Sequence, residues 1–284
     1  MDDYDIEGAY IEYESDNLKF SYEQLQDLFK FEWKRRWAYH KTKVSYIPAE
    51  RNLVAAIRNW RKLEAGDDIL DFMTDWDRAR LLLPRNLDIL NLGVSYRYDK
   101  IGNSDRILIE NGREISFANA SSGLQSLIPL HVILDYLSKW QYENKLEESV
   151  ENMTEKQNLR NLLFKELLDT EIQDLKYRNY TETDHSDIFL EEPEENLFPP
   201  TQVQLVNRLL EMAQGAHKDR FFIATHSPYI MTAFLDKNPE DFRLFFTYPL
   251  ENGRHSIKAA SEEEIQEIYD NGVDLFFNFE SFLK

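Results

Sequence analysis

The segment Asp187-Ile188-Phe189-Leu190-Glu191-Glu192-Pro193-Glu194 sets a short apolar run directly before a pair of carboxylates. A strand of this composition delivers Glu191 and Glu192 at the point where it leaves a sheet. In phosphoryl-transfer chemistry the first carboxylate so placed helps to hold Mg²⁺, and the second polarises the water that attacks a γ-phosphate. A strand that simply ends in a solvated acidic loop has the same composition. Further along, Phe221-Phe222-Ile223-Ala224-Thr225-His226-Ser227-Pro228 repeats the pattern, an apolar strand with His226 just before a helix start. A neutral imidazole there can hydrogen-bond a γ-phosphate oxygen, although capping or packing is the commoner use of a lone histidine at a strand end. The third segment, Ala120-Ser121-Ser122-Gly123-Leu124-Gln125-Ser126, precedes an apolar helix. Small hydroxyl residues and glycine at a helix start leave backbone N–H groups to meet an anion, and they are equally ordinary capping residues.

These segments need a scaffold. From residue 187 on, the pattern predicts strand 187–190, helix 201–213, strand 220–224, helix 228–235 and strand 242–247. Strands alternating with helices imply a largely parallel sheet, with functional loops at the strand carboxyl ends. The apolar run 127–140 predicts a helix, and the charged stretch 141–180 a helical insertion. Upstream, alternation over 9–14 and 18–22 predicts a hairpin turning at Ser15-Asp16-Asn17, and Leu25, Leu28, Phe29, Trp33 and Trp37 predict a helix from 23 to about 39. Residues 44–47 predict a short strand stopped by Pro48, followed by helices over 53–63 and 68–83, the second ended by Pro84. Residues 106–110 and 113–117 flank Asn111-Gly112, a strong hairpin signal. The expected fold class is α/β, a mostly parallel sheet flanked by helices, with a β-rich amino-terminal segment; the expected division is a β/α segment over 1–120 and the functional lobe over 121–284.

Composition narrows the function classes. In 284 residues, 42% hydrophobic and 13% aromatic content is ample for a core. A net charge of −19 repels phosphate backbones, which argues against a general basic face for nucleic acid. Zero cysteines remove disulfides, thiolate metal sites and thiol catalysis, and suit a cytoplasmic protein. The start, Met1-Asp2-Asp3-Tyr4-Asp5, is acidic, and no apolar run approaches the ~20 residues of a membrane span.

Taken together and in this order, the three chemical segments make the chain resemble the ABC/SMC-type ATP-binding proteins, P-loop NTPases, especially bacterial AAA/ABC ATPases related to the OLD-family and recombination ATPases. In that family a signature motif precedes its helix, an acidic Walker B strand runs into a D-loop, and a switch histidine follows the next strand. The resemblance places Ser121, Ser122, Gly123 and Gln125 in the signature, Glu191 at the Walker B metal carboxylate, Glu192 at the catalytic glutamate, residues 194–199 in the D-loop, and His226 at the switch histidine. It implies ATP and Mg²⁺ as ligands, ATP sandwiched between two units, and hydrolysis driving a conformational change. The segment Tyr46-Ile47-Pro48-Ala49-Glu50-Arg51 also looks like one found upstream in such proteins, with no role attached to it.

This sequence departs from the family pattern at three places. Glu191 stands for the commoner aspartate and Leu124 for a signature glycine, both frequent in this branch. The larger departure is that no Gly-x-x-x-x-Gly-Lys-Ser/Thr occurs in the 284 residues. That loop supplies the phosphate cradle, so the fold is expected to be incomplete on its amino-terminal side, as a truncated product, one half of a split protein or a fragment, and to be inactive in isolation. The expected partner is a second copy or a polypeptide that carries the missing loop; nucleic acid enters only through the family resemblance, and no membrane is involved. A non-catalytic ATPase-like module that complements a partner is the alternative. A metal-dependent nuclease built on the acidic run 184–195 is a weaker one, because such sites gather carboxylates from several strands. The basic and aromatic stretch Trp33-Lys34-Arg35-Arg36-Trp37, with His40, Lys41 and Lys43, reads as a helix with a solvated basic face or as a nucleic-acid grip.

Overall fold

The computed structural model describes residues 10–35, 38–57, 62, 64–83, 86–143, 154, 157, 158, 160, 161, 170–237, 239, 241–250 and 254–271. The chain divides into two compact units, Met1–Lys43 with Glu147–Asp184, and Val44–Leu146 with His185–Lys284. The architecture is α/β, with a parallel strand pair, flanking helices and antiparallel segments.

The first unit holds an antiparallel meander of β1 (Tyr10–Glu14), β2 (Leu18–Glu23) and β3 (Leu28–Trp33). The expected hairpin is present, but the helix expected from residue 23 is replaced by a short 3₁₀ turn, Gln24–Gln26, and strand β3. Positions 25, 29 and 33 are four apart, a spacing that helix and strand periods both satisfy. Phe29, Phe31 and Trp33 alternate with Lys30 and Glu32, and their aromatic character favours a pleated surface. Asp27, at φ 45°, turns the chain left-handed and ends the 3₁₀ turn. Arg36 and Trp37 of the basic stretch lie outside the described residues, as does most of 144–169.

Two sheets of more than two strands organise the second unit. The first has the order β10-β9-β4, with β4 (Lys41–Ile47), β9 (Thr183–Glu191) and β10 (Arg220–Ala224). β9 and β10 are parallel, in a register that sets Asp187 beside Arg220 and Glu191 beside Ala224. A parallel pair needs a crossover, here supplied by α5 (Pro199–Ala213), which starts with Pro199 and Pro200, residues pre-set for a first helical turn. β9 turns Ser186, Ile188 and Leu190 into the core, which explains its apolar alternation. The helix after β10 is α6 (Pro228–Lys237).

The second sheet, β5-β6-β7-β8, is antiparallel: β5 (Leu87–Asp88), β6 (Val94–Asp99), β7 (Ser104–Ile109) and β8 (Glu114–Ser116). Its β7–β8 hairpin turns at Asn111-Gly112 as expected, with Gly112 at φ 80°. β5 and β6 were not anticipated from the sequence, although Tyr96 alternates with Ser95 and Arg97 and is fully buried.

Of the helices in this unit, α1 (Leu53–Ala56) is shorter than the expected 53–63 helix, because Ile57 is extended; residues 58–61 and 63 lie outside the described residues. α2 (Asp67–Leu82) and α3 (Ser122–Asp135) follow, and α3 is extended by a π-helical turn, Tyr136–Trp140. α3 is the hub of the core, with Leu127, Ile128, Leu130, Val132, Ile133 and Leu134 all buried. α4 (Thr170–Thr181), in the first unit, is the described part of the expected insertion, with a single helical turn at Gln141–Glu143.

The strand expected at 242–247 is displaced and changes partner. β11 (Phe245–Pro249) pairs antiparallel with β12 (His255–Ala259) instead of continuing the parallel sheet. The physical reason is proximity: β12 offers alternating residues a few positions away, and closing a short hairpin costs less chain entropy than a crossover. α7 (Glu262–Asn271) ends the described chain. Among the described residues no helix is long and apolar enough to cross a membrane.

Candidate functional site

The carboxyl ends of β9 and β10 lie side by side, the position where open α/β sheets gather ligands. Glu192 continues the ladder by one bond, its N–H donating to the Ala224 carbonyl at 2.8 Å. It then takes φ 39°, a left-handed conformation that costs a non-glycine residue roughly 1–2 kcal/mol. The chain turns sharply from there: Glu195 N–H donates to Glu192 O at 3.0 Å and Leu197 N–H to Glu194 O at 2.9 Å.

Each acidic side chain of this turn has a different environment. Glu191 accepts a hydrogen bond from the Tyr46 phenol on β4. Burial, followed by that bond to a carboxylate, pushes the Tyr46 phenol well above its ordinary range, so it remains a donor. Glu192 is 42% exposed at its side chain and lies 3.9 Å, Oε1 to Nε2, from His226, which is 89% exposed. Glu194 binds the neighbouring loop: Oε1 accepts from the His226 N–H at 2.7 Å and Oε2 from the Thr225 hydroxyl at 2.8 Å. Ser227 completes the loop, its hydroxyl donating to Gln202 at 2.5 Å and accepting from the Tyr229 and Ile230 N–H groups at the start of α6. His226 is thus presented to solvent by a fixed backbone.

Arg51 underlies the whole turn. It is completely buried, in the 3₁₀ segment Ala49–Asn52 after β4. Nη1 donates to Pro48 O at 3.2 Å and Glu191 O at 3.1 Å, Nη2 to Glu192 O at 2.9 Å and Pro193 O at 3.3 Å, and Nε to Ser126 O at 3.2 Å. Burial pulls its pKa down, against the surrounding Glu195, Glu194, Glu192 and Glu191 carboxylates, which raise it. The fork geometry of a guanidinium suits several carbonyls at once, which an ammonium does not.

The start of α3 joins the same construction. Asn196, at φ 60°, donates from Nδ2 to the Ser126 hydroxyl at 3.0 Å. A Cβ at Gly123 would lie 2.9 Å from the Asn196 carbonyl oxygen, so the close approach of the acidic turn requires glycine there. Ser121 caps α3 by accepting from Leu124 N–H at 3.4 Å, and Gln125 donates from its side chain to Ala118 O at 3.0 Å. Ser122 is exposed at the first helical position.

The structure therefore brings Glu192 and His226 together, leaves the Glu191 side chain with Tyr46, and sets Gly123 against Asn196 of the same turn, while Ser121 and Gln125 make local bonds. Sequence reasoning left Arg51 without a role and did not single out Tyr46 as a partner of Glu191. The one signal for Arg51 was its place in the segment Tyr46-Ile47-Pro48-Ala49-Glu50-Arg51, which the sequence reading singled out.

Among the described residues no group of three or more acidic or histidine side chains converges on a metal position. That donor set gives the two-metal nuclease reading no support. It does fit Mg²⁺ bound in the manner of nucleotide enzymes, where one or two carboxylates suffice because phosphates and water supply the other ligands.

No family model matches the chain, and no curated protein matches it. Among solved structures, the SMC head domain from Thermotoga maritima is similar with 12% identity and a TM-score of 0.43, over 89% of this chain and 73% of that one. An Smc head bound to the C-terminal winged-helix domain of ScpA has 9% identity and a TM-score of 0.40, over 88% of this chain and 69% of that one. A structure described in terms of ATP-driven dimerization and DNA-stimulated activation of SMC ATPases has 8% identity and a TM-score of 0.38, over 72% of this chain and 93% of that one. Likenesses at this level carry no part of the functional reading, which rests on the motifs and the site geometry.

Proposed function

We propose that this chain carries the acidic-strand portion of an ATP-hydrolysing site of the ABC/SMC type. The observation that carries the reading is the placement of Glu192 and His226, 3.9 Å apart at the ends of two adjacent parallel strands, with Glu194 holding the histidine loop. Glu191 is the residue that would hold Mg²⁺, and the bound ion neutralises phosphate charge there. Glu192, half-exposed beside it, orients and polarises water. His226 donates a hydrogen bond to a phosphate oxygen from a backbone fixed by Glu194. The start of α3, with Ser122 and Gly123, faces the nucleotide of a second unit in a sandwich. In this reading the phosphate cradle is supplied by a polypeptide with a Gly-x-x-x-x-Gly-Lys-Ser/Thr loop, which these 284 residues do not contain. The setting is cytoplasmic.

The test is a calorimetric titration with Mg²⁺ and a slowly hydrolysed ATP analogue, on the chain and on the assembly that supplies the loop. Glu191→Ala should remove the Mg²⁺-dependent part of binding. Glu192→Gln should leave binding intact and lower turnover of the assembly by about 100-fold or more. Unchanged turnover in Glu192→Gln refutes the assignment.

The absence of a phosphate loop from the 284 residues favours one second reading, a non-catalytic ATPase-like module that lends its α3 surface to a partner's nucleotide. An assembly whose turnover needs the α3 start but is indifferent to Glu192→Gln would select it.

A further inference from the structure

The segment Tyr46-Ile47-Pro48-Ala49-Glu50-Arg51 is a sequence feature that the proposed mechanism does not use, yet its last residue reaches further through the site than any side chain of that mechanism. Arg51 bonds the backbone of the acidic turn at Glu191, Glu192 and Pro193, and the backbone of α3 at Ser126, from a completely buried position. Its partners are carbonyls, and among the described residues no carboxylate accepts from it. A guanidinium that only neutralised the four nearby glutamates would face their side chains. This one fixes where the chain goes.

The two segments it joins are the two that a nucleotide would meet. On one side stand the exposed Ser121 and Ser122 at the start of α3; on the other stand Glu192 and, through Glu194, His226. Two further contacts span the same gap, Asn196 Nδ2 to the Ser126 hydroxyl and the close approach of Gly123 to Asn196 O. A rigid bridge of this kind makes displacement of one segment a displacement of the other, because packed elements shift as units.

We infer that Arg51 is a positioning residue that couples the hydroxyl-rich start of α3 to the Glu192–His226 face, so that an anion engaged at α3 is registered at Glu192. The functional part of this inference rests on the ATPase reading above; the mechanical part does not.

The experiment is amide hydrogen exchange on the intact chain, comparing Arg51→Lys and Arg51→Met with the parent. Lysine keeps the charge but cannot reach this spread of carbonyls with one ammonium. Exchange should rise in residues 122–126 and 191–196 together in both variants, by about tenfold or more beyond the rise that the shared loss of global stability gives β6, β7 and α2. A rise in only one of the two segments, no change, or a uniform rise across the chain would overturn the coupling; so would failure of Arg51→Lys to fold, which would make Arg51 a general folding residue. In an assembly that turns over ATP, Arg51→Lys should lower kcat about tenfold with KM nearly unchanged, since water orientation and not nucleotide contact is disturbed. Coupled exchange with unaltered kcat would leave the bridge standing and count against the ATPase reading instead.

Discussion

Two arginines of the second unit, completely buried Arg51 and partly buried Arg80, do opposite work. Arg80 on α2 faces carboxylates: it bonds Asp77 one helical turn away and Asp105 on β7 at 3.1 Å, and its guanidinium lies 4.6 Å from the centre of the Tyr98 ring. Among the described residues, Arg51 donates to carbonyls alone. The first arrangement joins a helix to a sheet by charge, and a hydrophobic replacement of the whole cluster could do the same. The second arrangement has no such substitute, because five fixed carbonyls need donors. A charge buried to satisfy backbone marks the place where the course of the chain has to be held, and here that place is the acidic turn.

The largest effect is therefore expected from Arg51→Met. It leaves the carbonyls of Pro48, Ser126, Glu191, Glu192 and Pro193 short of donors, and even with partial relaxation the loss should be about 4 kcal/mol. Urea unfolding measures it. A loss under about 1 kcal/mol would mean that water replaces the guanidinium, and the contrast with Arg80 would disappear.

Arg80→Met should cost less, about 2–3 kcal/mol at neutral pH, and its cost should depend on pH. Burial already raises the Asp105 pKa, against the lowering effects of the Tyr96 hydroxyl and Arg80. A carboxyl whose folded pKa is raised contributes stability that is present below its unfolded pKa and lost as pH rises through the folded value. Removing Arg80 raises the folded value further, so the deficit of the variant should shrink as pH falls towards the ordinary aspartate range. The carbonyl partners of Arg51 do not titrate, so although carboxylates surround it the Arg51→Met deficit should keep a large part that does not vary with pH. Parallel pH dependences for the two variants would break the distinction between charge pairing and backbone support.

The same contrast explains what the sequence made legible. β9, β10 and α5 were readable because a buried parallel pair imposes apolar runs with a crossover helix between them, although the helix starts at Pro199, two residues before the expected 201. Glu191, Glu192 and His226 were readable as strand-end residues for the same reason. β3 was misread since Phe29 and Trp33 satisfy both periods, and β11 since its hairpin partner arrives only afterwards in the chain. Arg51 could be noticed but not interpreted: its partners Ser126 O and Glu191 O are 75 and 140 positions away and are backbone atoms, which any residue supplies. Side-chain chemistry leaves a trace in composition, whereas support of a backbone by a distant side chain does not.

Gly123→Ala tests the contact that shares the gap with Arg51. The added Cβ would sit 2.9 Å from the Asn196 carbonyl, with backbone on both sides and no flexible side chain to yield. Overpacking of this kind costs about 1–3 kcal/mol. The expected loss is about 1.5 kcal/mol, accompanied by faster exchange of residues 194–197. An alanine tolerated without loss would show that the acidic turn can move away from α3, and the bridge would then rest on Arg51 alone.

The smallest effect is expected from Ser121→Ala, at the exposed end of the same segment. Its hydroxyl accepts from Leu124 N–H at 3.4 Å, a long bond to a solvent-accessible helix start. Loss of such a cap costs about 0.5–1 kcal/mol, which in a chain of this size lowers Tm by only about 1–4 °C. Ser121 touches neither Arg51 nor the acidic turn, so exchange at residues 191–196 should stay as it was. If nucleotide meets the start of α3, the substitution should weaken Mg²⁺-dependent analogue binding by more than the small change in stability, whereas Gly123→Ala acts on both. A Ser121→Ala variant that loosens residues 191–196 as Gly123→Ala does would show that the whole helix start, and not the interior contacts at Gly123 and Ser126, is what the acidic turn leans on.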